Sequence, residues 1–382
     1  MVSFYPLVAL ALSVQGLAIK PVDSAHQPAK RSEAKVLQLD FDVERTYPSL
    51  QLARRDYSGA KLNNSRDVRY FMDMYIGSNK QKIRVDIDTG SSDLWVHDEF
   101  YGPSYEGMFN QSESETFNYI NESFKISYND GTVTSGVYGK DTVSLEDGTT
   151  LDDFQFAVAS NSTNKWTPAI FGISRKVQEA AKQEYDNFPY ALVAAGIIPK
   201  PSYSIYMSKE NGNKGSVLFG GIDQKKYEGD LVSYPISDSW YASIELKTLS
   251  YEGKDYTLNR SALLDTGTSW NFLPKDIVMD ISKLLGADTC ESCDRNVPCD
   301  QPNDKFMTFD FGGQQIKLSY ADLVVRPQPG MCLLGLDVAG ANDNLILGDV
   351  FLRHAYTYYD FEENTIAIAP AVDTEESDIV QA

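Results

Sequence analysis

Apolar and polar residues alternate through most of this chain in short runs. Stretches such as "KISYNDGTVTSGVY", "GSVLFGG", "KFMTFDFGG" and "NTIAIAP" are rich in β-branched and aromatic residues and are punctuated by Gly, Asn or Asp. Period-two patterning of this kind predicts strands. Helical spacing is confined to two segments, "VQEAAKQEYDNFPYALVAAG" at 177–196 and "PKDIVMDISKLLG" at 274–286, the second opening on proline. Residues 124–143 alternate on both sides of Asn129-Asp130-Gly131, which predicts a hairpin with Tyr128 near its tip. Such a tip can close over a bound chain and exclude water, although on that stretch alone an ordinary surface hairpin is the better reading. With 382 residues and no low-complexity tract, the chain has length for two lobes and is expected to be mainly β.

One interruption of the pattern carries charge. "KIRVDIDTG" at 82–90 reads as a strand, so Asp86 and Asp88, two positions apart, share a face. Two carboxylates on one strand end repel and desolvate each other, at a cost that partners or function must offset. A lone Asp-Thr-Gly is well explained by an aspartate capping a turn. Here it recurs: "LLDTGTSWNFLP" at 263–274 repeats apolar-apolar-Asp-Thr-Gly-(Ser/Thr)-Ser, with Asp265 177 positions after Asp88. Each copy is followed by an apolar pair and a glycine at nearly the same distance, "IFG" ending at Gly172 and "ILG" ending at Gly348. A duplicated half-chain unit is implied, not a short solenoid repeat.

The first 18 residues, "MVSFYPLVALALSVQGLA", are apolar, too short to span a bilayer, and end on small residues, as a cleaved secretion signal does. Five Asn-x-Ser/Thr sequons begin at Asn63, Asn110, Asn121, Asn161 and Asn259 and agree with a secretory route. Dibasic pairs Lys30-Arg31 and Arg54-Arg55 fall in a stretch, 19–55, that reads as a connector and propeptide. Cutting after Arg55, by a dibasic-cleaving protease or by self-activation, leaves Asp56 as the new N-terminus. The formal charge of −20 then becomes −22, because 19–55 holds seven basic and five acidic residues. So acidic a body repels nucleic acid and anionic membrane and suits acid surroundings. The C-terminal "AVDTEESDIVQA" has neither a hydrophobic tail nor a Ser/Thr stalk, arguing against a lipid anchor. These readings together point to a soluble secreted protein, with an acidic vacuole as the alternative location.

All four cysteines, Cys290, Cys293, Cys299 and Cys332, lie in the C-terminal half, and in an oxidising compartment two disulfides are expected, with three pairings open. Cys290 and Cys293 form a C-x-x-C, but no second such pair and no suitably spaced histidines accompany it, so a zinc site is not supported. Three histidines, none in H-E-x-x-H, and the absence of a G-x-S-x-G elbow or a P-loop leave metal, serine and phosphate chemistry without a carrier. No cofactor is implied. If the two halves pack about a pseudo-twofold axis, Asp88 and Asp265 meet. Carboxylates so placed share one proton; the ionised member acts as general base toward water while the protonated one donates to a carbonyl oxygen. Gly90 and Gly267 let backbone amides approach, and Ser91 and Thr268 supply hydroxyl donors.

These motifs resemble the pepsin-like aspartic proteases over essentially the whole mature length. "DTGSSDLWV", "YNDGT", "LLDTGTSWNFLP" and "LILGDVFLRHAYTYYDF" occur in that family's order and spacing. "GSNKQKIRVDIDTGSSDLWV", "YDNFPYALVAAGII" and "GSVLFGGIDQKKYEG" look most like the secreted yeast candidapepsin and yapsin type, and "LDFDVER" resembles the end of a candidapepsin propeptide. The resemblance implies a bilobal double β-barrel with a central cleft and a β-hairpin flap. It divides the chain into a signal (1–18), a propeptide (19–55), an N-terminal lobe (56–235) and a C-terminal lobe (236–382). It further implies a catalytic dyad of Asp88 and Asp265, the flap tyrosine Tyr128 with Trp95 as its hydrogen-bonding neighbour, polypeptide substrates, a monomer and a Cys299–Cys332 disulfide. Asp86, Gly90, Tyr128, Asp130, Gly131, Gly267 and Thr268 are the expected substrate-contacting residues. Asp86 and Asp130 are expected to admit Lys or Arg before the scissile bond beside large apolar residues. The N-terminal lobe lacks the family's usual cysteine pair, and Cys290/Cys293 are additional. Two rival readings are a catalytically silent pepsin-like peptide-binding protein, against which both Asp-Thr-Gly turns stand intact, and a two-acid glycosidase, which needs no duplicated turns.

Overall fold

The computed structural model describes residues 36–44, 69–98, 107–129, 131–164, 168–208, 214–290, 293–328, 330–340 and 343–382. The expected signal, both dibasic pairs, Asn63 and Asp130 lie outside them. In chain order the elements are β1 (Leu37–Glu44), β2 (Arg69–Ile76), β3 (Gln81–Asp88), β4 (Leu94–His97), β5 (Asn118–Ser127), β6 (Val133–Ser144), β7 (Thr150–Ser162) and β8 (Ala169–Gly172). Helix α1 (Phe188–Ala194) leads to β9 (Ser202–Met207), β10 (Lys214–Phe219), β11 (Gly221–Asp223) and β12 (Val232–Pro235). Then come β13 (Ser243–Tyr251), β14 (Lys254–Leu264), β15 (Asn271–Leu273), α2 (Lys275–Leu285), β16 (Phe306–Asp310), β17 (Gln315–Ser319), β18 (Val324–Gln328) and β19 (Met331–Leu334). The chain ends with β20 (Leu336–Val338), β21 (Leu345–Leu347), α3 (Asp349–Leu352), β22 (Ala355–Asp360), β23 (Thr365–Pro370) and β24 (Ile379–Gln381).

The protein is mainly β, as its patterning predicts. A large sheet runs β12-β23-β22-β9-β10-β1-β2-β3-β8-β4-β7-β6-β5, and a second runs β17-β16-β13-β14-β21-β15-β20. Strands β22 and β23, from the end of the chain, return to the large sheet, so it draws on both halves of the sequence. The duplication is visible as a repeated parallel pairing. Strand β3 pairs with β8, Asp88 opposite Gly172, and β14 pairs with β21, Leu264 opposite Leu347. The glycines after each apolar pair are required by close approach: a Cβ on Gly172 would lie 2.7 Å from the amide nitrogens of Ser92 and Asp93, and one on Gly348 2.1 Å from the Thr268 carbonyl.

The predicted hairpin forms from β5 and β6, with Ser127 opposite Val133. Its turn closes through Tyr128 N–H donating to the Thr132 carbonyl (2.8 Å) and Gly131 N–H donating to the Tyr128 carbonyl (3.0 Å). Helix α2 follows its prediction, burying Ile277, Val278, Ile281 and Leu285 on one face and ending on Gly286 at φ +70°, the left-handed cap glycine favours. The first predicted helix is mostly absent: only Phe188–Ala194 is α-helical, after a 3-10 turn at Lys176–Gln178. Between them, backbone amides that a helix would use go to carboxylates instead, Ala180 N–H to Asp93 (2.8 Å) and Tyr185 N–H to Glu179 (2.8 Å).

The connector reading of 19–55 also needs correction over Leu37–Glu44. "LQLDFDVE" alternates, and the structure seats it as β1 inside the large sheet with Leu37, Leu39 and Phe41 buried in the core. Cys299 pairs with Cys332 as the resemblance implied, and Cys290 pairs with Cys293.

Candidate active site

Two turns converge where the halves meet. Asp88 is the last residue of β3, and Asp265 follows β14; both are buried. Each carboxylate is gripped by its own turn. Gly90 N–H donates to Asp88 Oδ1 (2.8 Å) and the Ser91 hydroxyl to Asp88 Oδ2. In the second copy Gly267 N–H donates to Asp265 Oδ1 (2.9 Å) and the Thr268 hydroxyl to Asp265 Oδ2 (2.6 Å). Each glycine also faces the opposite carboxylate, for a Cβ on Gly90 would sit 2.6 Å from Asp265 Oδ1 and one on Gly267 2.6 Å from Asp88 Oδ1. No side chain larger than hydrogen fits at either position without moving the pair apart.

Crossed threonines fasten the turns beneath the carboxylates. Thr89 N–H donates to Thr266 Oγ1 (3.1 Å), whose hydroxyl donates to the Ile87 carbonyl (2.7 Å); reciprocally, Thr266 N–H donates to Thr89 Oγ1 (3.0 Å), whose hydroxyl donates to the Leu264 carbonyl (2.8 Å). Four buried polar groups are satisfied by two hydroxyls. Sequence reasoning passed over these threonines, although their repetition at the second position of both turns was the available signal.

Burial, and next the charge of Asp88, push the Asp265 carboxyl above the ordinary carboxylate range, and its hydrogen bond with Asp88 adds to the rise. The Thr268 hydroxyl and Gly267 amide oppose it by favouring the charged form. Tyr128 reaches the site from the hairpin. Its hydroxyl accepts from Trp95 Nε1 (2.6 Å). Burial first, then Asp88, pushes the Tyr128 phenol well up, so it stays protonated and can donate. Trp95 packs with Phe124, Tyr138 and Ile170 in a small core of its own, against which Tyr128, Ala180, Ala181 and Tyr185 rest.

Asp86 lies two residues from Asp88 on β3 and is also buried, but its Oδ1 accepts the Tyr70 amide at 3.2 Å. Tyr70 in turn receives Arg353 Nε on its hydroxyl at 3.4 Å. Gln178 was not singled out from sequence; its Nε2 donates to the Gly90 carbonyl (2.8 Å) while Ser174 holds its Oε1 (2.6 Å).

A model of the family described as eukaryotic aspartyl protease matches residues 69–371. The chain belongs to this family. Among curated relatives, this aspartyl protease is 34% identical to candidapepsin of Candida tropicalis, over 97% of this chain and 96% of that one. It is likewise 34% identical to candidapepsin-1 of Candida albicans strain WO-1 (92% of this chain, 94% of that one). Secreted aspartic protease 5 of Candida albicans is 32% identical over 98% of this chain and 93% of its own. The aspartyl protease match spans both Asp-Thr-Gly turns, the hairpin and the Cys299–Cys332 bridge, and begins at β2, so β1 precedes it. Among the described residues no helix is long and apolar enough to cross a membrane.

Proposed function

We propose that Asp88 and Asp265 are the catalytic dyad of a secreted endopeptidase acting in acid, with Asp265 as the member that holds the proton. The observation that supports this most strongly is the matched grip on the two carboxylates, one amide and one hydroxyl each, with the glycine of either turn against the other's oxygen. The ionised carboxylate takes a proton from water, the protonated one donates to the substrate carbonyl, and the resulting tetrahedral species collapses with no covalent enzyme intermediate. This sharing of one proton by two aspartates is the behaviour for which aspartic proteases serve as the standing example. Ser91 and Thr268 support the dyad, Trp95 anchors Tyr128, and Tyr128 with Gly131 covers the substrate. Residues 1–18 act as the signal and 19–55 as the propeptide of a glycosylated zymogen, with lobes 56–235 and 236–382 forming the two walls of the cleft. That a relative is named secreted aspartic protease 5 favours secretion of this chain as well. The test is cleavage of a denatured protein at pH 3–7 by the purified wild type and by Asp265→Asn. Pepstatin-sensitive cutting that survives in the variant would sink the assignment.

A finer part of the proposal concerns selectivity. Asp86 lies two residues before Asp88 on β3, and Asp130 stands in the sequence between Asn129 and Gly131. Together they admit Lys or Arg on the amino side of the scissile bond, in addition to large apolar residues. Asp130→Thr should lower Lys/Arg cleavage relative to Phe/Leu cleavage, and an unchanged ratio removes the idea.

A further inference from the structure

The two Asp-Thr-Gly turns match in their grip on the carboxylates and in their crossed threonines, and they differ beneath the second one. The Ile87 carbonyl, just before Asp88, takes one side-chain donor among the described residues, the Thr266 hydroxyl. Its counterpart, the Leu264 carbonyl just before Asp265, takes two: the Thr89 hydroxyl at 2.8 Å and the Tyr359 hydroxyl at 3.0 Å. A carbonyl oxygen has two lone pairs, so it accommodates both donors. The C-terminal part of the chain also holds the other side of the same peptide group, because Asp265 N–H donates to the Leu347 carbonyl at 3.0 Å. The peptide unit joining Leu264 to Asp265 is thus fixed at its oxygen by Tyr359 and at its nitrogen by Leu347.

Packing delivers the phenol to this point and keeps it a donor. Tyr359 is buried on β22 and stands opposite Tyr203 of β9, with the two rings stacked at 4.7 Å and 23°. Burial pushes the Tyr359 phenol up, so the hydroxyl keeps its proton in acid. Tyr203 is equally buried, yet its hydroxyl has no hydrogen-bond partner among the described residues. One of two stacked phenols therefore reaches the site and the other does not, which separates the hydrogen bond from the ring packing. Among the ionisable groups that bear on Asp265, Asp88 carries charge, whereas Tyr241 and Tyr359 are phenols that burial keeps neutral.

Resting on the protease reading above, we propose that Tyr359 is a positioning residue of the dyad, its hydroxyl holding Asp265 against Asp88 through the Leu264 carbonyl. Without that hydroxyl the carbonyl is still bonded to Thr89, so no buried acceptor is orphaned and the rings still stack. What loosens is the placement of Asp265. Two carboxyls that sit farther apart interact less, so the two macroscopic pKa values of the pair approach each other. The upper one, which reports loss of the Asp265 proton, falls, and the lower one rises.

The test compares purified wild type, Tyr359→Phe and Tyr203→Phe for kcat and KM on a fluorogenic peptide between about pH 3 and 7, with a thermal midpoint for each. Tyr359→Phe should lower kcat about five- to tenfold, the range of one neutral hydrogen bond, and leave KM within about twofold of wild type. Its alkaline limb of kcat/KM should move down by about half a pH unit, a shift that a merely structural hydroxyl would not produce. Tyr203→Phe should keep the wild-type kcat and limb. Three outcomes overturn the proposal: a Tyr359→Phe profile like that of an active wild type, equal losses in both variants, or a Tyr359→Phe protein that does not fold. As a second measurement, Tyr359→4-aminophenylalanine keeps the ring and a donor and should restore kcat to within about threefold of wild type. A folded variant of that kind as slow as Tyr359→Phe also overturns it. A folded wild type that cuts no peptide and binds no pepstatin removes the protease reading and this proposal with it, whereas an active wild type with an indifferent Tyr359→Phe removes this proposal alone.

Discussion

Replacing Thr266 by valine keeps the shape and removes one hydroxyl from the crossed pair. That hydroxyl accepts the Thr89 amide at 3.1 Å and donates to the Ile87 carbonyl at 2.7 Å, both in fully buried surroundings. A buried polar group left without its partner costs about 1–3 kcal/mol, so two such groups cost roughly 2–6 kcal/mol. Set against a total stability of about 5–15 kcal/mol, this is a large fraction. Urea unfolding of the purified protease in acid should show a lower midpoint for Thr266→Val with an unchanged slope. Thr266→Ser retains the hydroxyl and should cost under about 1.5 kcal/mol, close to the loss of one buried methyl. Activity should fall with stability, since the threonines hold the two Asp-Thr-Gly turns in register. Two outcomes would refute the reasoning: a valine variant within about 0.5 kcal/mol of wild type, or a serine variant as unstable as the valine one, which would place the energy in the methyl packing.

Thr268→Ala removes a donor that favours ionised Asp265, so the Asp265 pKa rises further and the alkaline limb of kcat/KM should move up by on the order of one pH unit; an unmoved or lowered limb counts against Asp265 as the proton holder. Glu179 is buried, and burial pushes its carboxyl up to about 8 against the opposing Tyr185 amide, with Asp93 adding to the rise. Its folded pKa lies above the unfolded value of 4.5, so its contribution to stability is fully present below that pH and is lost as pH rises through about 8. Glu179→Gln should therefore lose less of its thermal midpoint between pH 4.5 and 8 than wild type does. Trp95→Phe deletes the 2.6 Å bond to the Tyr128 hydroxyl and should lower kcat/KM about three- to tenfold with peptide substrates, the range of one neutral hydrogen bond. Reduction-blocked Cys332→Ala opens a loop of sequence separation 33 and should cost roughly 3–4 kcal/mol in denaturant, whereas Cys290→Ser, closing only three positions, should cost much less.

The duplicated site was legible because its chemistry repeats in the sequence. Asp88 and Asp265, their glycines and their Ser91 and Thr268 donors all sit where the two Asp-Thr-Gly turns place them, and the glycines of "IFG" and "ILG" mark the strands that pair with β3 and β14. What escaped was long-range. The side chains of Asp93 and Glu179 take backbone amides from 180 and 185 and so prevent the helix that local spacing predicts over 177–196. No window of that segment contains Asp93. The crossed threonines escaped for the same reason, since each finds its partners 175 or more positions away. Strand β1 was different: its alternation was plain in "LQLDFDVE", and its position ahead of a dibasic pair led to its reading as a connector.

Acid acts on this protein in two ways that agree. The net charge of −20 makes the folded body repel itself near neutrality, and protonation relieves that repulsion. Burial also raises the pKa of three inward carboxyls, Asp265 at the dyad and Asp93 and Glu179 in the first half, so each favours the folded state while it keeps its proton. Asp93 accepts from the Tyr138 and Tyr185 hydroxyls and the Ala180 amide, and Ala180, Ala181 and Tyr185 pack with Tyr128 against the small Trp95 core. Loss of the proton from Glu179 thus charges the layer on which the hairpin tyrosine rests, while loss of the Asp265 proton, on the proposed mechanism, removes the acid that a substrate carbonyl needs. Conditions that charge the first group also disarm the second. A protease built in this way has its folding and its proposed chemistry tuned to the same pH range without any separate sensor, because buried carboxyls perform both tasks.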